Sequence, residues 1–110
     1  MVCGGRDFSD TARVYKTLDS LKRANVIDAI IEGDARGADR IAGYWARRNR
    51  IDNLKFPADW AKDGRAAGPI RNARMLREGK PDLVIAFPGG RGTENMKQLA
   101  RQAGVEVVDG

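Results

Sequence analysis

The apolar run Leu83-Val84-Ile85-Ala86-Phe87 leads straight into Pro88-Gly89-Gly90-Arg91-Gly92-Thr93. Bounded by Pro81 and Pro88, the run reads as a buried strand. Beyond the glycines, Met96, Leu99, Ala100 and Ala103 recur at helical spacing. The glycines therefore lie where a strand turns into a helix. Such a junction leaves backbone N–H groups free and lets a ligand approach the main chain closely. It also aims a helix N-terminus at that ligand. The ligand this suits is a phosphate. The alternative is a tight turn that needs glycine for steric reasons alone.

The rest of the chain repeats the alternation. A very short strand covers about Val2 to Gly4, and a helix runs from an N-cap at Ser9 to about Ala24, with Val14, Leu18 and Leu21 on one face. Strands are predicted at 26–31, 53–56, 82–87 and 105–108. Helices are predicted at 38–50, 68–78 and 92–102, with Pro69 in the first turn of the third. Strict alternation of strand and helix implies a five-stranded parallel sheet covered by helices, with right-handed crossovers. Ligands of such sheets bind beyond the carboxyl ends of the strands, at the topological switch point.

Each unusual loop follows a strand, so all of them converge on that one edge. They carry Gly4, Gly5 and Arg6; Glu32, Gly33, Asp34, Arg36, Gly37 and Asp39; Trp60, Arg65, Arg71 and Asn72; then Pro88 to Thr93. Arg6, Arg36, Arg65, Arg71 and Arg91 would form a rim suited to bidentate phosphate contacts. Arg71, read as lying in the first turn of its helix, would add a guanidinium to the helix dipole.

Composition narrows the chemistry. The 110 residues fit a single domain, 1–110. There is no histidine, which excludes Ser-His and Cys-His catalysis and argues against a metal site. The single cysteine, Cys3, cannot form an internal disulfide, which fits a reducing cytosol, and it reads as a small strand residue. Nothing suggests a leader peptide or the roughly 20-residue apolar run of a membrane span. A net charge of +5 suggests an anionic partner. Arg47, Arg48 and Arg50 read as a solvated helix end.

These motifs resemble a known family. Cys3-Gly4-Gly5-Arg6-Asp7-Phe8, the run from Gly33 to Arg40, Ala58-Asp59-Trp60, the run from Gly64 to Met75, and Phe87 to Thr93 together resemble the SLOG superfamily of Rossmann-like nucleotide-binding proteins, in its YspA-like, cpYpsA-related branch. The superfamily includes the LOG phosphoribohydrolases, the single-stranded-DNA-binding protein DprA, and sensor domains for nucleotide-derived signals. The resemblance implies a Rossmann-like three-layer α/β/α fold, a nucleotide ligand and a dimer or higher homo-oligomer. In the LOG enzymes a pair of glutamates stands where this chain has Asn95 and Met96. The nearest carboxylate, Glu94, is one residue off, a rotation of about 100° on a helix.

The expected function is therefore binding of a nucleotide or a nucleotide-derived signal, without a cofactor, in the cytoplasm. The first alternative is N-glycosidic hydrolysis of nucleoside monophosphates, with Glu94, Glu32 or Asp34 as the carboxylate. The second is single-stranded nucleic acid binding, which the scarcity of exposed aromatics disfavours. Trp60 reads equally as a stacking or lid residue and as packing over the third helix. Asp39 reads as a helix-start carboxylate or a ribose contact.

Overall fold

A computed structural model describes residues 1–110. Strand β1 (Val2–Cys3) is followed by α1 (Thr11–Arg23), β2 (Ala29–Glu32), α2 (Ala38–Arg48) and β3 (Asp52–Lys55). Then come α3 (Trp60–Asp63), a 3-10 turn (Gly64–Ala66), α4 (Ala67–Arg74) and a π-turn (Met75–Gly79). The chain ends with β4 (Leu83–Ala86), α5 (Arg91–Gln102) and β5 (Glu106–Asp109).

The alternation expected from the sequence is present, and all pairings are parallel. The expected single five-stranded sheet is not. The strands form a three-stranded sheet of order β1-β4-β5 and a two-stranded sheet, β2-β3. The reason lies in β1. Its two residues pair with β4, Val2 opposite Ile85 and Cys3 opposite Ala86. Strand β2 lies alongside β1, but no ladder joins them.

Side chains alternate across the strands, as a period of two requires. Ile30 and Ile85 face a core with Val14, Leu18, Ala42 and Trp45, from α1 and α2. Ile31, Val84 and Ala86 face the opposite core with Phe56, Met75, Met96 and Ala100. Trp45 is fully buried, and its indole N–H donates to Asp19 Oδ1 at 2.8 Å, so the buried donor is satisfied. No helix is long and apolar enough to cross a membrane.

Two helix starts differ from expectation. Helix α1 is capped by Asp10 and not by Ser9: the Asp10 carboxylate accepts the Arg13 N–H at 3.0 Å. A carboxylate caps and also complements the positive end of the dipole. The third helical region opens at Trp60, eight residues before the expected start at Gly68. Asp59 caps it by accepting the Lys62 N–H at 3.1 Å. Pro69 falls within the first turn of α4, where its missing N–H has no acceptor to lose.

Parallel pairing sends every strand's carboxyl end to one edge. From β1 the chain moves to β2 and β3 on one side, and it later returns to β4 and β5 on the other. The change of direction between β1 and β4 leaves a crevice above them.

Candidate functional site

That crevice is a cavity of about 500 Å³. The loop after β1 supplies Gly4, Gly5 and Arg6; the α3–α4 region supplies Trp60, Arg65, Arg71 and Asn72; α5 supplies Arg91, Gly92, Thr93 and Asn95. Gly90 and Asp39 complete the side nearest the strand ends.

Helix α5 begins at Gly90 with no side-chain cap. Its first turn closes with the Glu94 N–H donating to the Gly90 carbonyl at 3.1 Å. The N–H groups of Arg91, Gly92 and Thr93 precede that bond and have no acceptor in the protein. A Cβ on Gly90 or Gly92 would meet nothing within 4 Å. Neither glycine is demanded by packing inside the chain. Both keep the wall low beside free donors at the positive end of a helix dipole.

The other glycines of the motifs do a different job. A Cβ on Gly89 would come within 2.6 Å of the Gly5 nitrogen and collide with Thr93 Oγ1. One on Gly4 would lie 2.6 Å from the Ala38 Cβ. Gly37 has φ +78°, and a side chain there would run into the Gly5 carbonyl. A side chain on Gly33 would strike the Arg71 guanidinium. The Gly5 N–H donates to the Pro88 carbonyl at 2.9 Å. Gly33, Gly37, Pro88 and Gly89 thus fasten the loops together from behind and do not line the cavity.

Arg71 is the fifth residue of α4, so the expected cooperation with a helix N-terminus is absent. It cross-links instead. Its Nη1 donates to the Gly33 carbonyl at 2.6 Å, and its Nε donates to Asn72 Oδ1 at 2.9 Å. Asn72 Nδ2 in turn donates to the Gly92 carbonyl at 3.2 Å and to Asn95 Oδ1 at 3.0 Å. The network ties the loop after β2 to the start of α5.

Asp39 sits within this network, 5% exposed, and its Oδ2 accepts the Ala35 N–H at 3.3 Å. Burial pushes its carboxyl up to about 7, against the opposing pull of the Arg71 charge. Burial also pushes the Cys3 thiol up to about 12, with a further contribution from the Asp39 charge. Cys3 is therefore a protonated, inert wall residue. Arg71 also lines the cavity and has N–H groups beyond the two that bond the Gly33 carbonyl and Asn72, so Arg71→Ala is expected to weaken nucleotide binding by roughly 1.5–3 kcal/mol, the range for hydrogen bonds to charged groups. Calorimetry on the folded variant reads this, and a loss below about 0.5 kcal/mol would relegate Arg71 to scaffolding.

The remaining carboxylates lie elsewhere. Glu94 is 68% exposed and points at Lys97, 3.6 Å away on the outer face of α5. Glu32 is fully buried under α2, where its Oε1 accepts the Asp34 N–H. A Cβ on Gly43 of α2 would come within 2.8 Å of its Oε2, which has no hydrogen-bond partner. Burial raises the Glu32 carboxyl as well. Asp34, at φ +55°, lies 3.6 Å from Lys55. Arg36 also lies off the site, paired with Asp7 at 3.4 Å on the surface. Asp39 is the one carboxylate lining the cavity.

Sequence reasoning passed over several lining residues, among them Ala35, Gly68, Met75 and Asn95. Asn95 carried a usable signal. It falls one turn after Arg91 and Gly92 and so shares their face of the helix.

A crevice with free helix-end donors, at the switch point of a parallel α/β fold, is the arrangement of a Rossmann-like protein. More narrowly, the chain belongs to the YspA, cpYpsA-related SLOG family, whose model matches residues 1–62. It is similar to the Gene 61 protein of Mycobacterium phage D29, with 36% identity over 99% of this chain and 93% of that protein. At the level of the family this means nucleotide-related binding or processing. The matched stretch carries the first two glycine loops and Trp60, while α4 and the Pro88–Thr93 junction lie beyond it.

Proposed function

We propose that the protein binds a nucleotide, or a small molecule derived from one, with a phosphate on the N-terminus of α5. The observation that carries this reading is the open face at Gly90 and Gly92, beside three N–H groups with no acceptor, in a cavity of about 500 Å³. Arg6, Arg65 and Arg91 add cationic forks to the same cavity. Asp39, held largely protonated below about pH 7, does not confront the phosphate with a full negative charge there. Titration calorimetry with a panel of nucleotides and inorganic phosphate tests the reading. Binding should require the phosphate, and a nucleoside should bind far more weakly than its monophosphate.

Binding without efficient turnover is the form of the proposal that the carboxylates support. A general base or ion-stabilising carboxylate must lie within about 3 Å of its target, directly or through one water. Glu94, Glu32 and Asp34 do not line the cavity. Nucleoside monophosphates incubated with the protein are expected to return intact on chromatography. Release of free base that disappears in Asp39→Asn would replace the binding protein with a hydrolase that uses Asp39.

A further inference from the structure

Trp60 opens α3, lines the cavity and is 49% exposed. The chain's other tryptophan, Trp45, is fully buried in the core between α1, α2 and the strands. Trp60 is held at its base by the Asp59 cap, and the edge of its ring rests over Gly68. A Cβ on Gly68 would lie 3.7 Å from Trp60 Cη2, so the missing side chain leaves room beneath the ring edge. The guanidinium of Arg6, itself a cavity residue, lies 4.8 Å from the centre of the ring. That face of the ring therefore carries a cationic partner and is not covered by the core.

We propose that Trp60 recognises the ligand's base by stacking and that Arg6 yields this ring face to it, so that the site selects base-bearing nucleotides over bare sugar phosphates. The proposal rests on the nucleotide reading above and extends it from the phosphate to the base. The relative strengths allow the exchange. A base stacked on an aromatic side chain contributes a factor of about 5 to 150 in affinity. An exposed cation–π contact contributes only about 2- to 5-fold. The released guanidinium stays within the cavity as a cation for the anionic ligand.

The test compares the four common nucleoside 5′-monophosphates with ribose 5-phosphate by calorimetry. In the parent protein at least one nucleotide is expected to bind about 5- to 150-fold more tightly than ribose 5-phosphate. That nucleotide should quench the exposed tryptophan emission, which ribose 5-phosphate leaves alone. In Trp60→Leu the ratio should fall to within about twofold of unity, and in Trp60→Phe, which keeps a ring, part of it should return. Circular dichroism confirms that each variant folds. A ratio near one in the parent, or an undiminished ratio in Trp60→Leu, overturns the stacking proposal and leaves the phosphate reading standing. If neither ribose 5-phosphate nor any monophosphate binds, the nucleotide reading falls and stacking falls with it.

Discussion

Gly90→Val is expected to cost nucleotide affinity a hundredfold or more in a protein that still folds. Gly90 has φ −102°, so a side chain there does not have to adopt the left-handed conformation. Its Cβ would meet nothing within 4 Å, so no contact inside the chain is broken. The valine would instead fill open space at the start of α5, on the approach to the N–H groups of Arg91, Gly92 and Thr93. Two hydrogen bonds to a charged phosphate are together worth roughly 3–6 kcal/mol, which exceeds a hundredfold. Gly89→Ala is the contrasting variant, because its Cβ collides with the neighbouring loop. It should lower the melting temperature. Unchanged nucleotide affinity in folded Gly90→Val would remove the phosphate cradle from consideration.

Asp39→Asn is expected to stabilise the protein at alkaline pH and to flatten its pH profile. The Asp39 carboxyl titrates near 7 in the folded protein, against an ordinary value of 3.8. Between those values the folded chain keeps a proton that the unfolded chain has lost. Stability associated with this group is therefore full below about pH 4 and is lost as pH rises through about 7. At 1.36 kcal/mol per pKa unit the whole effect is at most on the order of 4 kcal/mol. Asparagine has no proton to lose, so it should exceed the parent by a few kcal/mol at pH 8 and match it near pH 4. Denaturant midpoints of both proteins at pH 4, 6 and 8 measure the difference, and titrations common to both cancel. Parallel profiles would mean that Asp39 is ionised throughout.

The legible part of this molecule is the local part. Alternating strand and helix signals, and the glycine junction after Phe87, depend on neighbours in sequence, and both are present. The split sheet was not legible, because it turns on whether two-residue β1 can form ladders on both sides. The early start of the third helical region was hidden because Pro69 read as the first turn of a helix opening at Gly68 and Gly64 as part of the loop before it. The chain passes them with a 3-10 turn and a first-turn proline. In the site, the loops and most arginines could be named from the strand-end rule. Which glycines face the cavity could not, because the packing partners of Gly33, Gly37 and Gly89 are distant in sequence. Arg71 was noticed for its charge, but its links to the Gly33 carbonyl and Asn72 depend on how α4 packs.

The placement of phosphate on α5 can be read residue by residue from amide nitrogen–proton chemical shifts during titration with nucleoside monophosphates and with inorganic phosphate. The expected result is that the Arg91, Gly92 and Thr93 amides move furthest with both, and the Trp60 indole moves with the nucleotides alone. Saturating shifts confined to other parts of the surface, with these three amides unmoved, would contradict a phosphate site at the start of α5.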